Sequence, residues 1–216
     1  SFDNLIEALI ESNNFASFFQ TSSSEMFKDL QGTKLDEESG FEPNTPYAES
    51  KIYCHKKVDF YRKKFDWDMS CGILFNHESE FRPNNYLIMK IINSAINIKD
   101  GKSKSLVVGS LDLVRDWGFA GDVTIAMTKI IESHSSEDYV IGTGVGKKIE
   151  EMIQIIFDYL NLDYKEFISV DEEILRKNEP KVIVSNPIKI KSDIGWESST
   201  VFDDMVIRCI DYKLTM

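Results

Sequence analysis

Apolar residues along this chain recur with two periods, one suited to helices and one to strands, and the two alternate. Asp3 to Glu11 sets Leu5, Ile6, Leu9 and Ile10 at helical spacing behind an aspartate cap, and Phe15 to Gln20 then switches to a short aromatic strand. Thr21 to Asn44 is polar and predicts a loop. Pro46 suits the first turn of a helix running to about Lys64, with Ile52, Val58, Tyr61 and Phe65 along one side. Met69 to Phe75 predicts a buried strand. Helices are then expected over Tyr86 to Ile98, Val123 to Ile131 and Lys148 to Leu160, with strands over Ser105 to Gly109 and Tyr139 to Thr143. Asn186-Pro187 starts a short helix that stops at Gly195, and the amphipathic stretch Val201 to Tyr212 closes the fold.

Strands alternating with helices predict an α/β fold with a doubly wound sheet. The chain has no repeat and no linker rich in Pro, Gly or Ser. Its 216 residues, 42% hydrophobic, are enough for a substantial core. Acids exceed bases by 36 to 25, for a net charge of −11, which argues against nucleic acid as a partner. No apolar run approaches the roughly 18 residues of a membrane span. Cys54, Cys71 and Cys209 are odd in number and widely spaced, which suits a reducing compartment, the cytosol, rather than a disulfide framework or a metal site.

A doubly wound sheet that binds a dinucleotide opens with a strand, a glycine-rich turn and a helix, and this chain begins with a helix instead. Its glycine cluster, Gly142-Thr143-Gly144-Val145-Gly146, lacks the third glycine at the fingerprint spacing and no Lys-Ser or Lys-Thr follows it, so it reads as an ordinary turn. The chemistry lies elsewhere. Tyr47 and Lys51, four residues apart at the start of a helix, project from one face. An ammonium beside a phenol favours the phenolate, which turns a poor base into a usable one. The hydroxyl-rich run Thr21-Ser22-Ser23-Ser24-Glu25 leaves the end of a strand, where open α/β sheets bind their ligands, and Asn76-His77-Glu78 leaves the end of another. Trp67, Trp117 and Trp196 are expected in the core.

Five stretches carry a resemblance: Gln20-Thr-Ser-Ser-Ser-Glu-Met-Phe27, Thr45-Pro-Tyr-Ala-Glu-Ser-Lys51, Gly72-Ile-Leu-Phe-Asn-His-Glu-Ser79, Arg115-Asp-Trp-Gly118 and Glu137-Asp-Tyr-Val-Ile-Gly-Thr-Gly144. Together they resemble the GDP-mannose 4,6-dehydratases of the extended short-chain dehydrogenase/reductase superfamily. The resemblance implies a Rossmann-type fold whose first βαβ units, with the nucleotide turn, lie roughly 100 residues upstream. Residues 1–75 would then be the C-terminal half of an NADP-binding domain, and 76–216 mainly a sugar-nucleotide lobe interleaved with the sheet through the strand near 138–143.

The implied roles follow position by position. Tyr47 takes the proton from the sugar 4-hydroxyl, Lys51 lowers its pKa and grips the nicotinamide ribose, Ser23 bonds the same sugar oxygen, and Glu25 removes the C5 proton. His77 and Arg82, with Tyr47 and Lys51, match cofactor-binding positions, for NADP or alternatively NAD. Asn76, Lys90, Arg115, Arg176 and Glu179 match positions that hold a GDP-sugar. Homodimers or homotetramers are implied as well. The chain departs from the family at Glu80-Phe81-Arg82-Pro83, usually Pro-Arg-Arg-Gly, and at Lys28, Met89 and Phe119. The resemblance also leaves open a GDP-sugar epimerase or reductase of the same superfamily, a GDP-heptose 4,6-dehydratase, or a non-catalytic sugar-nucleotide-binding remnant. Glu25 separates dehydration from simple redox chemistry, and Arg115 beside Asp116 also reads as a structural ion pair.

Overall fold

The computed structural model describes residues 1–28, 32–175 and 179–216. The chain opens with helix α1 (Phe2–Glu11), where Asp3 lies inside the first turn rather than capping it. Strand β1 (Phe18–Ser23) follows, three residues later than its hydrophobicity predicts. Phe15 instead packs its ring against Trp67 at 5.1 Å, and the strand continues into Thr21, Ser22 and Ser23. Helix α2 (Pro46–Phe65) has both ends written in its sequence. The Thr45 hydroxyl accepts the Ala48 amide at 3.1 Å, Pro46 occupies the first turn, and three basic residues complement the last.

Strands β2 (Met69–Leu74) and β3 (Asn76–Glu78) lead to helix α3 (Leu87–Lys99) and strand β4 (Leu106–Val108). Strand β5 (Val114–Phe119), which the periodicity does not reveal, passes directly into helix α4 (Ala120–Ser133). Then come strands β6 (Asp138–Ile141) and β7 (Gly146–Lys148), helix α5 (Ile149–Tyr159), strands β8 (Ile168–Val170) and β9 (Val182–Ile183), and helices α6 (Ile188–Ile194) and α7 (Phe202–Leu214). Gly195 ends α6 at φ 65°, a conformation that favours glycine.

The central sheet is parallel, in the order β1-β2-β6, with helices on both faces. Alternation along β2 decides what each face meets. Met69, Cys71 and Ile73 turn towards the side chains of α1 and α2, and Leu74 turns towards α4 and α6. The architecture is the doubly wound α/β class expected. β3, β5, β7 and β9 form a second, mixed sheet centred on β5, and β4 pairs with β8 in a third. Beneath these, α3, α5 and α7 pack around Ile88, Ile92, Ile153, Phe157, Val206 and Ile210. Trp67, Trp117 and Trp196 are all buried, as expected.

Candidate functional site

β1 stops at Ser23, whose hydroxyl accepts the Glu25 amide at 3.2 Å and turns the chain into a single 3-10 turn, Ser24–Met26. A small hydroxyl at this cap is what lets the strand end so sharply. Glu25 is thereby carried off the carboxyl end of the parallel sheet and lines a cleft of about 860 Å³. One wall is Ser24, Glu25, Asn44 and Thr45; Asn76, Glu78 and Arg82 come from and after β3, Arg115 and Trp117 from β5, and Glu179 from the segment before β9.

Thr45 caps α2, so Tyr47 and Lys51 occupy the first turns beside this wall without being among the residues that line it. The Lys51 Nζ donates to the Thr21 carbonyl at 2.8 Å and lies 5.6 Å from the centroid of the Tyr47 ring. Tyr47 is half exposed and Ser23 is buried. Tyr47 and Lys51 share one helical face, and the ammonium sits at Thr21, near the end of the strand that carries Ser23.

Across the cleft, Asn76 and Glu78 share the inner side of β3, and His77, between them, is not among the lining residues. Period-two alternation is the signal that identifies Glu78, a residue not singled out from the motif. The Glu78 carboxylate meets Arg82 Nε at 2.9 Å in an ion pair poorly aligned for hydrogen bonding, and the Arg82 guanidinium lies 3.7 Å from the Tyr86 ring centroid. Burial pushes the Glu78 carboxyl up to about 7, with Arg82 pulling the other way. Burial also holds the His77 imidazole below its ordinary pKa, against the hydrogen bond to the Phe75 carbonyl at 2.8 Å.

Arg115 donates to the Val114 carbonyl at 2.8 Å and forms an ion pair with Glu179, both residues reaching the cleft. Asp116 is not its partner. That buried carboxylate accepts instead from the amides of Thr143, Gly144 and Ser185 and from the Thr143 and Ser185 hydroxyls. The amides of the glycine cluster are already engaged within the protein, Thr143 and Gly144 donating to Asp116 and Val145 to the Thr143 hydroxyl, and a Cβ on Gly142 would lie 2.5 Å from Ser185 Oγ. Lys90 is exposed on α3 and does not line the cleft, and Arg176 lies outside the described residues. Trp117 is the further cleft residue that hydrophobic reasoning assigned only to the core, and its buried indole nitrogen has no hydrogen-bond partner among the described residues.

Four of the five motif stretches thus contribute residues to one cleft at the carboxyl end of a parallel sheet, the stretch Glu137 to Gly144 being the exception, and the family model for GDP-mannose 4,6 dehydratase matches residues 2–209. The chain belongs to the GDP-mannose 4,6-dehydratase family. It is 34% identical over 216 residues to GDP-mannose 4,6 dehydratase 2 of Arabidopsis thaliana, covering 98% of this chain and 58% of that protein. It is 29% identical to the Homo sapiens GDP-mannose 4,6 dehydratase, covering 89% of this chain and 56% of that one. The chain therefore spans little more than half the length of these curated relatives. Among solved structures, RMD from Pseudomonas aeruginosa complexed with NADPH superimposes on all of this chain and 71% of its own, with a TM-score of 0.89 at 20% identity. The dTDP-glucose 4,6-dehydratase from Bacillus anthracis in complex with NAD covers 99% and 66%, with a TM-score of 0.87 at 21% identity. Those likenesses establish the fold that this dehydratase-family chain shares with them.

Proposed function

We propose that this chain forms the sugar-nucleotide site of a GDP-hexose 4,6-dehydratase, with GDP-mannose the first substrate to test. One observation carries the reading beyond family membership: Glu25, two residues past Ser23 on the strand whose Thr21 carbonyl holds the Lys51 ammonium, lines the same cleft as Arg82 and Arg115. A hexose at that wall with its diphosphate towards the arginines meets a base and an anion-binding pair at once.

Tyr47, whose ring lies 5.6 Å from the Lys51 ammonium, accepts the proton of the sugar 4-hydroxyl, and Ser23 donates to the same oxygen. With a ketone at C4 the C5 hydrogen becomes acidic, so Glu25 removes it and passes a proton to the C6 hydroxyl, which leaves as water. The proton held by Tyr47 is returned to C5 as hydride is delivered to C6, so C4 ends oxidised, C6 ends reduced, and one water is lost. A bound nicotinamide cofactor supplies the hydride acceptor and donor that this exchange requires. Tyr47 and Lys51 fit its ribose end, since the Lys51 ammonium is already fixed at the strand end by Thr21. Structural neighbours that are complexes with NADPH and with NAD support a nicotinamide cofactor, and we take NADP from the family resemblance, with NAD the alternative. His77 and Arg82 remain candidates for the dinucleotide, and Asn76, Arg115 and Glu179 for the GDP-sugar. Pairing through α2 into a homodimer or homotetramer in the cytoplasm completes the proposal.

The test is incubation with GDP-mannose and NADP, reading the 4-keto-6-deoxy product by NMR. Glu25→Gln and Tyr47→Phe are each expected to lower turnover at least about 100-fold. Full dehydration by Glu25→Gln would remove the base from this carboxylate.

A further inference from the structure

Tyr47 and Lys51 continue into a third residue of the same helical stripe, His55, which is only 8% exposed. Both of its ring nitrogens are engaged. Nδ1 lies 3.0 Å from the Ser22 hydroxyl on β1, and Nε2 lies 3.3 Å from Asp138 Oδ2 at the start of β6. The other Asp138 oxygen accepts from Arg62 at 2.5 Å and from the Cys71 amide at 3.2 Å, and Arg62 Nε donates to the Met69 carbonyl at 2.7 Å. A carboxylate only accepts, so the network assigns the ring proton to Nε2 and leaves Nδ1 to accept from Ser22. Burial works against the Asp138 carboxylate, yet its His55 and Arg62 partners outweigh it and hold its carboxyl well below the usual range.

The ligand atoms of His55, Cys71 and Asp138 lie within 4.8 Å of one another, which raises the question of a cation. Arg62 already supplies positive charge to that carboxylate, and burial pushes the Cys71 thiol far up, away from the thiolate a metal needs. The cluster is a hydrogen-bonded brace. It spans all three strands of the central sheet from one helix, through Ser22 on β1, Met69 and Cys71 on β2, and Asp138 on β6.

We propose that His55 is a positioning residue: by tying Ser22 to Asp138 from the middle of α2, it fixes Lys51 and Tyr47 over the strand end that bears Ser23 and Glu25. This role rests on the dehydratase reading of the cleft. Apolar packing alone leaves a helix some freedom to slide along a sheet, whereas two directional bonds to the strands on either side of β2 do not. Ser22 immediately precedes Ser23, so a displacement at the brace is passed directly to the reacting wall. Misplacement of catalytic groups by about 1 Å is enough to slow a reaction about 100-fold.

Two readouts test the proposal. In steady-state dehydration of GDP-mannose, His55→Ala is expected to lower kcat about tenfold or more and to leave KM within about twofold, because the brace touches none of the cleft side chains around Arg115. His55→Gln, whose amide offers a donor to Asp138 and an acceptor to Ser22, is expected to recover most of kcat. The second readout needs no substrate: acetylation of Lys51 by an amine reagent, followed by peptide mass spectrometry against exposed Lys63. Its rate should rise severalfold in His55→Ala and return in His55→Gln. Ser22→Ala cuts the tie to β1 without emptying the core, and the same pattern in milder form is expected if His55→Ala does not fold. Unchanged Lys51 labelling in folded His55→Ala or Ser22→Ala, or unchanged kcat, would overturn the positioning role. A wild-type protein that dehydrates no GDP-hexose, while Lys51 labelling responds as expected, would overturn the dehydratase reading and leave the brace standing.

Discussion

Glu78 shows how far one side chain can be moved from its behaviour in water. It is 2% exposed and its carboxyl is pushed up to about 7 by burial, so across roughly pH 4.5 to 7 the folded chain keeps a proton that the unfolded chain has lost. Stability therefore falls as pH rises through that window and levels off above it. Glu78→Gln should melt like the wild type at pH 5 and be more stable at pH 8 by about 1–2 kcal/mol, with the lost Arg82 contact offsetting part of the gain. Thermal melts at the two pH values decide this. Ser23, Glu25, Tyr47 and Lys51 were legible as candidates because their relation is local: a helical repeat of four and a hydroxyl run at a strand end. Glu78 was not, since its burial depends on Arg82, Tyr86 and a cleft assembled from distant segments.

The same distinction operates on whole elements. α2 is readable in full because Thr45, Pro46 and the basic last turn are all local signals. β5 is hidden because Val-Arg-Asp-Trp-Gly-Phe puts an arginine and an aspartate in mid-strand, and what makes that tolerable lies elsewhere: Asp116 is satisfied by Thr143, Gly144 and Ser185, and Arg115 by Glu179. β1 is displaced towards its polar end for a related reason, with Ser22 receiving a buried partner in His55. The Asp116 knot also explains why Gly142 admits no side chain. A methyl group there would lie 2.5 Å from Ser185 Oγ and 3.0 Å from Asp116 Oδ2, so Gly142→Ala is expected to destabilise the protein by about 2 kcal/mol, measurable by urea unfolding.

For the molecule as a whole, the alternation of helix and strand signals was enough to place the chain in the doubly wound class. The two- and three-residue strands β7, β8 and β9 show no period of their own and exist only as partners of other strands, whereas β4, equally short, lies inside the apolar stretch Ser105 to Gly109. Among the described residues, no helix is long and apolar enough to cross a membrane. The outer face of α2 presents Tyr53, Lys56, Lys57 and Phe60, with Tyr53 and Phe60 about half exposed. If the chains pair through this helix, Tyr53→Glu combined with Phe60→Glu should give a monomer by light scattering with the fold retained, because none of these side chains supports the core. One further consequence follows from Arg115 and Glu179, which enter the cleft already joined. A visiting anion has to compete with a carboxylate belonging to the protein itself, so a monovalent guest gains little by displacing it and a diphosphate gains more. If Arg115 holds the diphosphate of the proposed substrate, the cleft would sort its visitors by valence before it could sort them by shape.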